Sequence, residues 1–261
     1  MMNPLSQVEP VIELKKLASA RRQSLIIEGP KGSGKSYLAR QFANMLSIED
    51  FNTVSPKVSE IKEAIDDCMA IENNVVICIE NLDLGQLSAS YTLLKMLEEP
   101  ISNLFIVITC RNLQGLPDTI ISRSAVVSLG PPKTTDIVEY AKLKDLNEYN
   151  LLKDKLIWNC IQTFSDCDDA LKLDIAKIDY YQSLPERCNF KESVSNIVWA
   201  ISHYDDNSEC NLEFAVKCLI SHFNTPFVTQ CGVDCLTAIN KGRIAAHAVL
   251  SKFVFNIKYC E

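Results

Sequence analysis

The sequence lacks several features, and each absence excludes a class of protein. No uninterrupted apolar run approaches the ~20 residues that a membrane span requires, so no membrane association is expected. The first six residues, Met-Met-Asn-Pro-Leu-Ser, have neither the basic start nor the apolar core of a signal peptide, which predicts a cytoplasmic protein. Positive charge is not in excess, because the formal net charge is −7. This balance argues against a protein that coats nucleic acids in general.

Cysteine is abundant, but its pattern does not predict disulfides or zinc. The chain has 11 cysteines, an odd number, spread from Cys68 to Cys260. The closest pair is Cys231 and Cys235, and no second pair lies near it, so we expect no zinc site. In a cytoplasmic protein such residues are typically free thiols, and many of them fill the core.

A complete phosphate-binding loop stands near the start of the chain. The segment reads G-P-K-G-S-G-K-S and fits G-x-x-x-x-G-K-[ST] at every fixed position, between an apolar run at 25–27 and a helical pattern at 37–42. Backbone N–H groups in such a loop surround a phosphate, the lysine reaches the β- and γ-phosphates, and the serine holds Mg²⁺. The residues predicted to bind ATP or ADP here are Gly29, Pro30, Lys31, Gly32, Ser33, Gly34, Lys35 and Ser36, with Ser36 also a ligand of Mg²⁺.

Apolar runs alternate with helical patterns in the first half of the chain. Strands are predicted at 25–27, 75–79, 104–109 and 125–129, with helices such as 59–70 and 91–97 between them. Continuous apolar strands that alternate with helices predict an α/β fold with a parallel sheet covered by helices on both faces.

The second half of the chain is expected to be helical. The strand signals end at Gly130-Pro131-Pro132, which marks a boundary, and a second break is predicted at 183–185. The helical patterns that follow the first boundary lie at 137–143, 151–164, 169–178, 192–204, 212–223 and 233–257.

Four further segments point to a family. Glu80-Asn81-Leu82-Asp83 follows the second apolar run, and residues 93–100 read L-L-K-M-L-E-E-P. Cys110-Arg111-Asn112 ends the third apolar run, and residues 116–124 read L-P-D-T-I-I-S-R-S before the Gly-Pro-Pro boundary. This series resembles the clamp-loader subunits of the AAA+ superfamily, in particular the gamma and delta-prime subunits of bacterial DNA polymerase III. The resemblance covers residues 7 to about 143.

The resemblance implies an architecture and a set of partners. It implies an AAA+ nucleotide-binding core at 1–130, a helical lid at 131–184 and a helical collar at 185–261 that forms a hetero-oligomer. Such subunits form a five-membered ring that uses ATP and Mg²⁺ to place a sliding clamp on primer–template DNA. Arg123 occupies the position of the arginine that reaches into the neighbouring subunit's site, where a guanidinium stabilises the transferred phosphoryl group.

Several positions depart from the pattern of the active family members, which carry Asp-Glu after the second strand. Here Glu80 takes the place of the aspartate that contacts Mg²⁺, and Asn81 takes the place of the catalytic glutamate. A neutral amide cannot accept the proton of the attacking water, and the loss of a general base costs ~10²–10⁴-fold in rate. Arg111 stands at the nucleotide-sensing position, with Asn112 beside it. Asp168 stands where the lid should carry an arginine.

These departures predict a delta-prime-like subunit that binds ATP or ADP, hydrolyses it weakly or not at all, and donates Arg123 to a neighbour. The first alternative is an active gamma-type ATPase, in which Glu80 alone supports catalysis. Two remoter alternatives are a small-molecule kinase, which shares the phosphate-binding loop, and an AAA+ protein that remodels DNA outside replication.

Overall fold

The computed structural model describes residues 8–69, 73–173, 175–189, 193–203, 210–241 and 246–259. The chain divides into two compact units, of which the first contains the residues up to Ile137 together with Thr163–Ser165. The second contains Val138–Gln162 and the residues from Asp166 onward. Within the described part of the chain, no helix is long and apolar enough to cross a membrane.

The first unit is built on one parallel sheet of five strands in the order β2-β3-β4-β1-β5. Its strands are β1 (Ser24–Glu28), β2 (Asp50–Val54), β3 (Val75–Ile79), β4 (Leu104–Cys110) and β5 (Ala125–Ser128). Its helices are α1 (Val8–Ser19), α2 (Lys35–Met45), α3 (Val58–Met69), α4 (Leu87–Glu98) and the short α5 (Asp118–Ile121).

The core of this unit lies around the central strands. Every residue of β3 and β4 is buried, as is the middle of β1. Ile61 of α3 and Leu93 of α4 are fully buried and belong to the same apolar cluster as Ile77 and Ile106. All four predicted strands are confirmed. Strands that are buried on both faces need continuous apolar sequence, which explains the strong signals of β3 and β4.

The edge strand β2 was not predicted. It pairs only with β3, and the side chains of Asp50, Asn52 and Thr53 are exposed. Only Phe51 and Val54 are half-buried, so the segment lacks the apolar run that identifies the other strands. An edge strand with one exposed face carries a weaker sequence signal than a central strand.

The second unit consists of helices. Helix α6 (Thr134–Lys144) begins in the first unit and continues into the second. The other helices are α7 (Leu146–Leu152), α8 (Phe164–Ala170), α9 (Ile175–Asn189), α10 (Val194–His203), α11 (Cys210–Phe223), α12 (Pro226–Lys241) and α13 (Ala246–Tyr259), with a 3₁₀ helix at Leu156–Cys160.

Three predicted helices of this region were wrong in their bounds. The helix predicted to begin at residue 233 already begins at Pro226, as α12. The pattern at 151–164 is not one helix, because α7 ends at Leu152 and a separate 3₁₀ helix buries Ile157 and Cys160. A 3₁₀ helix aligns positions three apart, so its apolar pattern imitates that of an α-helix. The pattern at 169–178 is likewise interrupted between α8 and α9.

The break predicted at 183–185 was also wrong, because α9 continues through Pro185. Proline removes one backbone donor and disfavours the helix interior. Tyr181 and Leu184 are buried on the inner face of α9, and their packing outweighs this cost. No helix or strand occurs between Leu129 and Lys133, as the Gly-Pro-Pro segment predicts.

The division into core, lid and collar stays a prediction. Its outer limits include residues 1–7 and 260–261, which lie outside the described residues. The same holds for residues 70, 174, 192, 204 and 242–245 within the predicted helices.

Candidate phosphate-binding site

The phosphate-binding loop leaves the carboxyl end of β1 between two neighbouring strands. The Gly29 N–H donates to the Cys110 carbonyl at 3.1 Å, and the Leu129 N–H donates to the Glu28 carbonyl at 2.7 Å. Gly32 and Gly34 have φ angles of 71° and 95°, in the left-handed region that glycine favours. The loop conformation therefore depends on these two glycines.

The loop leads into the amino end of α2, which no side chain caps. The first N–H groups of a helix have no acceptor within the helix, and the helix dipole favours an anion beside them. Ser33 is fully buried, and its hydroxyl has no hydrogen-bond partner among the described residues. Uncapped amides and an unpaired buried hydroxyl fit the phosphates of a nucleotide.

Lys35 is buried at the centre of the loop. Its ammonium donates to the carbonyls of Gly29 at 2.8 Å and Pro30 at 2.9 Å. Burial lowers the pKa of Lys35 below its usual value, and the positive charge of Arg111 lowers it further. A bound phosphate would stabilise the charged ammonium and oppose both effects. Pro30 and Lys31 lie on the exposed side of the loop.

The two residues predicted to hold Mg²⁺ lie in contact. The Ser36 hydroxyl donates to Oε1 of Glu80 at 2.6 Å. No group of three or more His, Cys, Asp or Glu residues that could hold a metal occurs among the described residues. Mg²⁺ in nucleotide sites is commonly bound by one or two protein oxygens, with phosphates and water as its other ligands. Ser36 and Glu80 fit such a site.

Asn81 directly follows Glu80 and adopts a left-handed backbone conformation, with φ 49° and ψ 52°. Its N–H donates to the buried hydroxyl of Thr109 on β4 at 2.9 Å. Asparagine tolerates this conformation better than most residues. The backbone at the predicted base position is therefore fixed, but its side chain is an amide that cannot take up a proton at neutral pH.

The end of β4 brings Arg111 to the site. The Arg111 N–H donates to Oδ2 of Asp83 at 3.1 Å, and its side chain is exposed. Its positive charge contributes to lowering the pKa of Lys35. Asn112 makes a local contact, because its side-chain oxygen accepts from the Gln114 N–H at 2.9 Å.

Sequence reasoning missed three residues that hold these segments in place. Thr109 fixes Asn81, and Asp83 fixes Arg111. Glu28 accepts from the Leu113 N–H at 3.1 Å and from the hydroxyl of Ser128 at 3.0 Å. An acidic residue shortly after β3 is visible in the sequence, but contacts with the backbone of a distant strand are not. One Asp83 oxygen is buried without a hydrogen-bond partner among the described residues.

Arg123 lies at the other edge of the sheet. It precedes β5, so it stands where the parallel strands begin, whereas the phosphate-binding loop follows the end of β1. Its guanidinium donates to the Thr119 carbonyl at 3.0 Å and pairs with Glu98 at 3.0 Å. The structure therefore separates Arg123 from the predicted nucleotide-binding residues of its own chain.

Asp168 lies in the second unit, and its carboxylate contacts two side chains of α6. Its carboxylate accepts from the Tyr140 hydroxyl at 2.8 Å and pairs with Lys144 at 3.4 Å. The acidic charge at this predicted sensor position is partly compensated by the lysine beside it.

Comparison with known proteins matches part of the chain to a family, in a segment that does not include the phosphate-binding loop. Residues 55–133, less than a third of the chain, match the family described as DNA polymerase III, delta subunit. A comparison with curated proteins found no match.

Two solved structures have similar folds, and both come from Thermotoga maritima. A DNA polymerase III gamma subunit-related protein aligns with a TM-score of 0.59 at 16% identity, over 94% of this chain and 98% of its own. The RuvB Holliday junction branch migration motor aligns with a TM-score of 0.52 at 14% identity, over 96% of this chain and 87% of its own. The predicted fold class is confirmed: this chain has the AAA+ fold, and part of its core matches the delta-subunit family of DNA polymerase III.

Proposed function

We propose that this chain is a clamp-loader subunit of the delta-prime kind. It binds ATP or ADP with Mg²⁺ at its own phosphate-binding loop and turns it over slowly. The observation that carries this proposal is a complete phosphate-binding site with an asparagine, Asn81, at the position of the general base.

The capacity to bind nucleotide rests on the loop. Its uncapped helix amides and the buried Lys35 offer positive charge and donors at one place. Ser36 and Glu80 offer two oxygens to Mg²⁺ beside them. The bound ion would neutralise charge on the phosphates, while these residues orient the nucleotide.

Slow turnover follows from the side chains around the attacking water. The amide of Asn81 can orient water but cannot take its proton. Asp83 comes two residues later, but one of its oxygens is engaged by the Arg111 N–H. The site is thus better suited to hold a nucleotide than to cleave it.

Arg123 would act on the nucleotide of a neighbouring subunit. It lies at the amino edge of the sheet, away from the carboxyl ends that carry its own loop. A residue in that position contributes to catalysis only when a second subunit brings its nucleotide to it. The proposed partners are therefore the other subunits of a five-membered loader, with a sliding clamp and primer–template DNA contacted through the assembled complex.

One observation favours the gamma-type alternative. The contact of Ser36 with Glu80 preserves the pair that would hold Mg²⁺, so an active ATPase without a glutamate base is the second candidate. A small-molecule kinase has no such support, because the fold is that of AAA+ proteins. The RuvB likeness shows this fold and does not favour a role outside replication.

ATP binding and steady-state hydrolysis by the full chain test the proposal, with Asn81→Glu and Asn81→Gln as variants. The wild type should bind MgATP and hydrolyse it slowly. Glutamate restores a base, so turnover should rise by roughly 10²-fold or more. Asn81→Gln has a side chain as long as that of glutamate but supplies no base, so the turnover of this variant should stay at the wild-type level.

Rapid hydrolysis by the isolated wild type would overturn the delta-prime assignment and favour the gamma-type alternative. Absence of nucleotide binding would contradict both.

A further inference from the structure

A pocket at the amino edge of the sheet brings three arginines together. It has a volume of about 290 Å³ and lies entirely within the first unit. Arg21 and Arg22 come from the connection between α1 and β1, and Arg123 comes from the connection between α5 and β5. None of the described residues that line the pocket is acidic. The three arginines are close in space although about a hundred positions separate Arg123 from the other two.

The floor of the pocket is apolar and held in place. Met96, Leu97 and Leu104 line it and are buried. The side-chain amide of Gln23 donates to the carbonyls of Ile101 and Leu104, which fixes the wall where β4 begins. A cleft that combines charge of one sign with low-dielectric walls concentrates its electric field on a ligand.

The three arginines differ in how they are held. Arg21 lies over the ring of Phe105, with its guanidinium carbon 5.3 Å from the ring centroid, and reaches the side-chain oxygen of Asn74 at 3.5 Å. Arg123 pairs with Glu98. Arg22 is exposed, and its side chain has no hydrogen bond or ion pair with any described residue.

We infer that this pocket is a second phosphate site, in which Arg22 and Arg123 together bind the polyphosphate group of a nucleotide presented by an adjacent subunit. The inference rests on the proposed role of Arg123 and adds Arg22 as a second phosphate-binding residue. Guanidinium groups match phosphate oxygens through two parallel hydrogen bonds, and two guanidiniums bind several phosphates better than one.

Glu98 competes with the anion for Arg123. The side chains of Arg123 and Glu98 are 37% and 53% exposed, so their ion pair is screened by water and contributes little stability. An incoming phosphate releases Arg123 at small cost. Removal of the Glu98 charge should therefore strengthen binding, which is the opposite of the effect expected for Arg22.

Binding of inorganic tripolyphosphate to the full chain tests this site, measured by calorimetry in a Lys35→Ala background that disables the other phosphate site. Adding Arg22→Ala should weaken binding by roughly fivefold, and adding Glu98→Gln should tighten it by about threefold. Lys62→Ala removes the same charge from an exposed position on α3 and should leave the affinity unchanged. Thermal unfolding of each variant confirms that it is folded.

Two results would overturn the inference. One is an Arg22→Ala affinity equal to that of Lys62→Ala. The other is displacement of tripolyphosphate by a short oligonucleotide at equal phosphate concentration, which would assign the pocket to a nucleic-acid backbone.

A complex reconstituted with gamma-type ATPase subunits distinguishes the two possible sources of the phosphate, a neighbouring subunit's nucleotide and a free polyphosphate. There Arg22→Ala should raise the ATP concentration needed for half-maximal hydrolysis if the pocket receives a neighbour's nucleotide. An unchanged value, with tripolyphosphate binding intact, would assign the pocket to a free polyphosphate and overturn the adjacent-subunit source. The calorimetry needs no partner, so it can succeed even if the clamp-loader proposal fails.

Discussion

The two edges of the parallel sheet present positive charge in different ways. At the carboxyl edge, Lys35 is buried and donates both to Gly29 and to Pro30, within a loop fixed by neighbouring strands. At the amino edge, Arg22 and Arg123 are exposed or half-exposed and only Arg123 has an ion pair. A buried lysine in a rigid loop suits a ligand that the chain binds by itself. Exposed arginines around an open pocket of this kind suit a ligand that arrives with another molecule.

The two edges of the sheet also differ in the function that we propose for each. The carboxyl edge carries Ser36 and Glu80, which we propose hold MgATP, and Asn81 at the proposed base position. The amino edge carries the guanidinium of Arg123, which lies away from that loop. We therefore propose nucleotide binding at one edge and assistance to a neighbour's reaction at the other. Three pairs of variants, each with its control, test how the carboxyl edge is built and what it binds.

Among the effects on binding and stability of the isolated chain, the largest is expected from Lys35→Ala. Loss of a buried ammonium from a phosphate site should weaken MgATP binding by roughly 100-fold or more. Lys31→Ala removes an exposed lysine from the same loop and should cost less than about threefold. Calorimetric titration with MgATP measures both. Equal effects of the two variants would contradict a special role for the buried lysine.

A smaller effect is expected in the pH dependence of binding. The phosphates need charged Lys35, whose pKa is lowered by burial and by Arg111. Affinity for MgATP should be highest below the pKa of Lys35. It should fall as the pH rises through that pKa, which lies below the usual lysine value of 10.5. Arg111→Gln removes one of the two effects that lower the pKa of Lys35. The decline in MgATP affinity should therefore begin at higher pH in this variant.

Fluorescence titration with a labelled ATP analogue across alkaline pH measures this shift. Lys62→Gln, which removes a distant positive charge, serves as the control and should leave the decline where it is. A decline that begins at the same or a lower pH in Arg111→Gln would contradict the effect assigned to the Arg111 charge on the pKa of Lys35.

The smallest effect is expected from Thr109→Val. Valine has the shape of threonine but cannot accept the hydrogen bond from the Asn81 N–H, so unfolding free energy should fall by about 1 kcal/mol. Thr109→Ser keeps the hydroxyl, so its unfolding free energy should fall by less. Chemical denaturation measures both values. If both variants lose the same amount, packing rather than the hydrogen bond accounts for the effect.

Strands and motifs of the first unit were predictable because their signals are strong. β3 and β4 are continuous apolar runs buried on both faces, and the phosphate-binding loop has fixed residues at fixed spacing. β2 was not predictable, since three of its five residues face solvent. The contacts of Thr109 and Asp83 were not predictable either, because they join backbone groups of different strands.

The helical unit was harder to predict in detail. Its patterns indicated helices, but α9 continues through Pro185, where local preference alone predicts a break. Buried side chains such as Tyr181 and Leu184 decide the outcome there. The pocket at the amino edge was also hidden, because it joins residues that are close only once β1 and β5 are paired.

The central claim is that this chain donates Arg123 to a reaction in another subunit. The most direct measurement is the ATPase rate of a complex reconstituted with gamma-type subunits from the same organism, with wild-type, Arg123→Ala or Arg123→Lys protein. We expect Arg123→Ala to lower the rate of the complex by about 10³-fold at the site it completes, with MgATP binding to the isolated chain unchanged. Lysine keeps the charge but not the planar fork, so it should restore only part of the rate. A complex with Arg123→Ala that assembles normally and hydrolyses ATP at the wild-type rate would contradict the claim.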